Sequence, residues 1–424
     1  MVEKIKTDVL VVGGGPGGRV AYMALKQFGV GDVKMVANEE PTVICSLPYG
    51  VGRKLVPGGP EAVVVDLSKS HRLPPTILQD VLQGNVTALD LAAREAVVEG
   101  PGGQTAVVFE RLVLAPGAVP WITAVEGVLA ESGTVQGTGV FYGDEWVDKG
   151  RLADHVYVLR GAWDARRLDR LASEKKTALV VGTGAIGLET AEALLDRGMA
   201  VTLLEALPHV VAALDGDMAA KLEQRLAERN VPLRKDARLA RVLPGGVELS
   251  DGTVLEADAV VFATGVRPDL RLAKTSGLET GRGIVTDRQM RTSAPGVYAV
   301  GDAVQVVDGA TGEAILPTSA DAECVEAPLA GFQAVTKAAQ VPGAAPAQGQ
   351  AGQRPRHVPQ PAQGLPGAAA MPAMLQEPRH GVQPGVDGGG TQQRAGQPRG
   401  QQAGAGGGDR PVHRRQQRSF PGAG

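Results

Sequence analysis

Two glycine-rich turns constrain this chain more than any other feature of its sequence. The first is Gly13-Gly14-Gly15-Pro16-Gly17-Gly18 and the second is Gly182-Thr183-Gly184-Ala185-Ile186-Gly187. Each has G-x-G-x-x-G spacing. Each follows a buried-strand run (Thr7–Val12, Thr177–Val181) and precedes a helical pattern (Arg19–Phe28, Ile186–Arg197). In that setting the first glycine permits a tight turn, and the second lets the backbone approach a pyrophosphate. The third lets the helix pack close to the strand, and the helix N-terminus faces the phosphates. The spacing alone is a weak signal; the flanking strand and helix make it specific. Two such turns, about 170 residues apart, predict two separate dinucleotide-binding domains.

The surrounding pattern agrees. Val33–Val36 and Ala200–Leu204 read as the second strands of two strand–helix–strand units, and Met218–Arg229 reads as an amphipathic helix. Alternating strands and helices predict α/β architecture, with doubly wound parallel sheets covered by helices on both faces. Asn85–Glu99 and Ala240–Leu255 read as β-rich excursions. Each is followed by a strand and a small-residue turn, Leu112–Gly117 and Ala259–Gly265. Gly127–Ala153 matches no period and reads as a surface excursion near a domain boundary. The expected domains are 1–120 and 256–335 as two parts of one nucleotide domain, and 121–255 as the other.

Composition separates the end of the chain from its body. Between residues 341 and 424, Gly, Pro and Gln supply 44 of 84 residues, and nine arginines face three acids. Such a segment buries too little apolar surface to offset its ordering entropy and is expected to be disordered. The whole chain carries a formal charge of −3, which gives no electrostatic argument for nucleic acid. It has no run of 18 apolar residues, so no transmembrane helix is expected. The N-terminus enters a strand pattern directly and lacks a signal-peptide layout, so a cytoplasmic location is expected. Two cysteines, Cys45 and Cys324, exclude a disulfide scaffold and a multi-cysteine metal centre, and the six histidines show no metal-ligand spacing.

Four positions carry candidate chemistry. Glu205 ends the strand run Ala200–Leu204, 21 residues after Gly184. A carboxylate there accepts from an adenosine ribose 2′-OH and repels a 2′-phosphate, which favours NADH over NADPH; the bland alternative is a solvated strand end. The matching acid for the first turn is chosen from Asn38, Glu39 and Glu40, with Glu39 preferred. Asp302 follows the strand-like run Gly296–Val300, with Gly301 before it; by spacing alone it reads as a helix cap, or else as an acceptor for a cofactor hydroxyl. Cys45, in Val43-Ile44-Cys45-Ser46-Leu47-Pro48-Tyr49, is either a buried inert hydrophobe or a thiolate favoured by a helix start. Gly50 and Gly52 argue against that helix. Cys324 reads as structural.

Taken together, these segments resemble the flavin-dependent pyridine nucleotide–disulfide oxidoreductases over about residues 5–331. GGGPGG resembles the family's FAD-binding turn and GTGAIGLE its NAD(P)H turn. LVLAPG and VFATG, which ends at Gly265, resemble its two hinge segments, with Pro116 departing from threonine. VYAVGDA resembles its second FAD motif, which implies that Asp302 holds the ribityl chain. CSLPYG resembles the branch with a single redox cysteine: coenzyme A-disulfide reductases, NADH oxidases and peroxidases, and persulfide reductases. The resemblance implies FAD and NADH as cofactors, Cys45 as the redox thiol, and a small disulfide, persulfide, peroxide or dioxygen as acceptor. It also implies a homodimer built on a C-terminal interface domain. Here the pattern fades after Pro328-Leu329-Ala330-Gly331, so a mainly monomeric chain is expected. Two rival readings stand beside this one: a reductase of a small electron-carrier protein, with Cys45 structural, and an inactive nucleotide-binding remnant.

Overall fold

The computed structural model describes residues 3–67, 76–133, 138–308 and 311–316. Cys324, the Pro328–Gly331 segment and residues 341–424 lie outside the described residues. In the first sheet, strands Val81–Gln83, Val33–Ala37, Glu3–Val12 and Gly103–Leu114 run parallel side by side. Val297–Ala299 joins the end of Gly103–Leu114, also in parallel. The expected β-rich excursion is the hairpin Asn85–Asp90/Glu95–Gly100, which extends this sheet antiparallel. Helix Pro16–Gln27 follows the first glycine turn. Its buried positions Ala21, Tyr22, Ala24 and Leu25 are spaced for one face against the sheet.

The second sheet is parallel throughout, in the order Val156–Tyr157, Ala259–Phe262, Thr177–Val181, Ala200–Leu204, Leu233–Arg234. Helices Ala162–Glu174, Ala185–Asp196 and Gly216–Glu228 accompany it. Ala259–Phe262 therefore belongs to this sheet, and the boundary placed at residue 255 is too early. All four residues of that strand are buried and it has parallel partners on both sides. An apolar run of four does not by itself reveal which of two similar sheets it joins. The second expected excursion is a three-stranded antiparallel meander, Leu239–Leu243, Gly246–Leu249 and Val254–Glu256.

Gly127–Ala153 is not a surface excursion. Within it, Gly139–Tyr142 and Glu145–Asp148 form a hairpin. That hairpin pairs with Ala118–Ile122, which pairs in turn with Val266–Pro268. Val128, Val140, Val147 and Leu152 are buried in one apolar cluster with Val156, Val181 and Val260 of the second sheet. The four strands thus form a small sheet at the two crossings between the nucleotide sheets. Lys149, just after the hairpin, is 3% exposed, and its Nζ donates at 2.8 Å to Asp164 Oδ2, which is fully buried. Asp164 also accepts from the backbone N–H groups of Arg160 and Gly161, capping helix Ala162–Glu174. Among the described residues no helix is long and apolar enough to cross a membrane.

Removing one member of this buried pair strands the other charge in a dry site. Lys149→Met is expected to destabilise the chain by about 3–5 kcal/mol, read as a lowered denaturant midpoint. Lys149→Met combined with Asp164→Asn, which retains an acceptor for the helix cap, is expected to recover most of the loss. A single variant as stable as the parent would contradict this account of the pair.

Candidate active site

The two glycine turns have the same local geometry. Gly13 and Gly182 adopt φ of +115° and +98°, which an L side chain rarely tolerates. A Cβ on Gly13 would land on the carbonyl oxygen of Ala115, and one on Gly182 on that of Ala263. A Cβ on Gly18 or Gly187 would collide with the carbonyl of Gly13 or Gly182 respectively. Both helices are thereby pulled against their strands. The middle glycines differ: at Gly15 and Gly184 a Cβ would meet nothing within 4 Å. Each is the N-cap of its helix, with no side-chain cap. The space beside the free helix N-termini is therefore open at both turns, as a diphosphate requires.

From the first turn a cleft of about 510 Å³ runs past Glu39, Asn85, Ala118, Lys149 and Gly301. That volume is in the range of small-molecule and cofactor sites. Glu39 lies in its wall. Of its neighbours, Asn38 donates to Asn85 Oδ1 at 2.8 Å, and Glu40 is engaged by Arg166, which Glu61 also holds. Gly301 reaches the cleft at φ +80°, and Asp302 beside it accepts from Arg160 Nη2 at 3.4 Å. The guanidinium of Arg160 is also anchored on Ala118 O at 3.1 Å. Gly301-Asp302 leads into strand Val304–Val307 rather than a helix, so the cap reading does not hold. Gly265, at φ +106°, lies in the crossing between Ala259–Phe262 and Val266–Pro268, where its carbonyl accepts from Trp121 N; it is not part of the cleft wall.

At the second turn Glu205 is not a solvated strand end. Its Oε2 accepts from Thr183 N at 2.9 Å and from Thr183 Oγ1 at 2.6 Å, and its Oε1 accepts from Leu207 N at 3.0 Å. Three donors fix the carboxylate beside the turn. A carboxylate has about four acceptor positions, which leaves capacity for a ribose hydroxyl.

Cys45 is exposed, so the buried-hydrophobe reading falls. It sits in a single tight turn, Ile44–Ser46, that leads into helix Leu47–Gly52. The two glycines that argue against this helix are what allow its packing. A Cβ on Gly52 would stand 3.1 Å from Ala193 Cα, and one on Gly50 3.2 Å from Gly59 O. The short helix thus lies tight against helix Ala185–Asp196 of the second unit. Tyr49 donates to Glu189 Oε1 at 3.3 Å across that contact. Burial raises the Glu189 carboxyl above its ordinary value; burial, followed by the nearby Glu189 charge, raises the Tyr49 phenol. Sequence reasoning missed Arg160, Lys149, Trp146 and the Tyr49–Glu189 contact. Tyr49 and Glu189 lie inside the quoted motifs, but their meeting depends on a helix contact spanning 140 residues of sequence. Among the described residues no group of three or more His, Cys, Asp or Glu side chains is placed to hold a metal.

A sequence model of the family described as pyridine nucleotide-disulphide oxidoreductase matches residues 7–321. An NADH oxidase from Methanocaldococcus jannaschii is 27% identical over 336 residues, covering 76% of this chain and 68% of that protein. A rubredoxin-NAD(+) reductase from Alcanivorax borkumensis is 35% identical over 231 residues, covering 53% of this chain and 54% of the relative. Among solved structures, an NAD-dependent persulfide reductase from A. fulgidus superposes with a TM-score of 0.66 at 28% identity. That match covers 77% of this chain and 59% of the other. The chain therefore spans a little over half to two thirds of the length of these three proteins.

Two tests follow from the geometry. Gly15→Val places its side chain in open space and is expected to cost about 1 kcal/mol as a poorer N-cap, yet to abolish dinucleotide retention. Gly18→Val, by contrast, is expected to cost more than about 3 kcal/mol by overpacking. Denaturant melts with and without ligand separate the two, and a Gly15→Val chain that retains its ligand would contradict the phosphate assignment. Glu189 gives a pH signature. Because its native pKa is raised, its contribution to stability is fully present below the ordinary Glu value and drains away as pH rises through the native value. Glu189→Gln should flatten that part of the stability profile.

Proposed function

Since the chain belongs to the pyridine nucleotide-disulphide oxidoreductase family, we propose that it is an FAD-dependent NADH oxidoreductase that delivers electrons to a small acceptor at Cys45. The residues fit the two nucleotides. The first turn, Glu39 and Asp302 would hold FAD, and the second turn with Glu205 would hold NADH. When bound, the flavin supplies the two-electron relay between nicotinamide and acceptor. The chain supplies position and charge. Open backbone at Gly15 and Gly184 admits the two diphosphates against helix N-termini. Glu205 accepts from the adenosine ribose, and its charge repels a 2′-phosphate. Arg160, in the wall of the same cleft, anchors Asp302 beside Gly301.

The observation that carries the reading is the place of Cys45. An exposed thiol lies in the turn that leads into a helix packed against the second dinucleotide unit. For a disulfide acceptor, the Cys45 thiolate attacks one sulfur, a new S–S bond forms and the second sulfur leaves as a thiolate. Overall, NADH, one proton and one disulfide give NAD⁺ and two thiols. Persulfide, peroxide and dioxygen are the other acceptors this arrangement would serve. Cytoplasmic residence belongs to the same reading, because a free redox thiol suits a reducing compartment. A second reading is favoured by the 35% identity to a rubredoxin reductase: electrons pass to a small carrier protein, and Cys45 is idle.

Cys45→Ser separates the two. The thiol reading predicts that flavin content and NADH-driven bleaching survive while disulfide or persulfide turnover falls at least about a thousandfold, as expected for loss of a nucleophile. Full turnover in Cys45→Ser would pass the argument to the carrier reading. Cofactor choice is tested separately. Catalytic efficiency with NADH should exceed that with NADPH by about ten- to a hundredfold, and Glu205→Ala should narrow the gap. Equal efficiencies in the parent chain would contradict the role of Glu205.

A further inference from the structure

The hairpin Gly139–Asp148, which none of the nucleotide motifs includes, forms one wall of the first cleft. Trp146 lies against Gly139 so closely that a Cβ there would fall within the indole ring. The Arg271 guanidinium lies over the ring, 3.9 Å from its centroid, and Arg271 is held by Asp269 at 2.6 and 2.9 Å. The ring is thus fixed by two contacts. Its Nε1 is buried and has no hydrogen-bond partner among the described residues, a condition that native structures rarely leave uncompensated. Three residues on, Lys149 is 3% exposed and gives one proton to Asp164 Oδ2; an ammonium has three to give. Trp146 and Lys149 both line the cleft that holds the first glycine turn.

The ligand expected in this cleft has a doubly charged centre. The turn itself offers backbone N–H groups but no cationic side chain. Arg19, the nearest cation in its helix, is turned onto the carbonyls of Gly14 and Thr42. Arg160 is committed to Ala118 O and Asp302. Lys149 is tied through Asp164 to Gly161, and a Cβ on Gly161 would stand 3.2 Å from Glu39 Oε2. The same Asp164 Oδ2 accepts from Arg160 N, and Arg160 reaches Asp302, so the ammonium is linked through one carboxylate to both the Glu39 side and the Asp302 side of the cleft.

We propose that Lys149 Nζ and Trp146 Nε1 donate to the diphosphate of the dinucleotide held at the first glycine turn, so that the hairpin is a cofactor-retaining wall. The proposal rests on the flavin assignment made above. Lys149 supplies ammonium N–H donors beyond the one held by Asp164, and the Gly139–Trp146–Arg271 stack sets the position of the indole N–H.

The test titrates the full-length chain with FAD by flavin fluorescence and uses ADP and adenosine as competitors of FAD. Because Lys149→Met alone leaves Asp164 unpaired, the variants are Lys149→Met/Asp164→Asn and, separately, Trp146→Phe, which keeps the stack and removes the N–H. In both, the dissociation constants for FAD and ADP are expected to rise about tenfold or more, as for loss of a hydrogen bond to a charged group. Adenosine, which lacks the diphosphate, should compete as it does against the parent chain. FAD and ADP bound as tightly by both variants as by the parent would overturn the proposal. An equal loss for adenosine would also overturn it, because the donors would then act elsewhere. A parent chain that binds no FAD would overturn the flavin assignment, and this proposal with it.

Discussion

Close backbone approach at the two glycine turns is the constraint on which the rest of this structure depends. Gly18 stands against the carbonyl of Gly13, and Gly187 against that of Gly182. No residue with a Cβ fits at either place. The approach brings each helix down onto its parallel sheet and aims its free N–H groups into open space beside Gly15 or Gly184. It also seats each turn on a neighbouring strand end, Ala115 for the first and Ala263 for the second. Ala115 directly follows strand Gly103–Leu114 and Ala263 directly follows strand Ala259–Phe262, where the chain leaves each sheet. The open helix N-termini and the chain crossings between sheets are therefore fixed by the same contacts.

The segment that carries the thiol shows how the two units are joined. Helix Leu47–Gly52 is only six residues long, too short to be stable by itself. It is held by packing: Leu47 and Val51 are buried in the cluster built on the second sheet, and Gly52 lets the backbones touch. Arg197 donates to Val51 O at 2.9 Å, binding the last turn to the same unit. Arg53, in a left-handed conformation just after the helix, forms a two-point ion pair with Asp169. Cys45 is thus an exposed thiol on a rigid mount, although its sequence belongs to the first unit.

Much of this architecture was legible because glycine spacing and strand burial are local. The strands Thr177–Val181 and Ala200–Leu204 fall where their apolar runs predict, and the Glu205 position follows from counting along one strand–helix–strand unit. The assignments that failed depend on distant partners. Ala259–Phe262 reads as a strand, but its sheet is settled by pairing with Thr177–Val181, some 80 residues earlier. Residues 127–153 are rich in glycine and weakly periodic, yet Val140 and Val147 are buried because the second sheet supplies the surface that covers them. The exposure of Cys45 was equally illegible, since Val43, Ile44 and Leu47 around it are all apolar, and only packing on the second sheet's cluster decides that Leu47 is buried while Val43 and Cys45 are not. Trp146 and Lys149 carried no motif; their place in the cleft wall comes from hairpin pairing with Ala118–Ile122.

The central claim is that two dinucleotide sites share one electron path that ends at a small acceptor. An anaerobic titration of the purified full-length chain with NADH, followed by its visible absorbance, tests it most directly. The account predicts a flavin spectrum that bleaches with about one equivalent of NADH per bound flavin and returns when a disulfide or persulfide is added. A chain that purifies with flavin but is not bleached by NADH would contradict it, as would a chain that takes up no flavin at all.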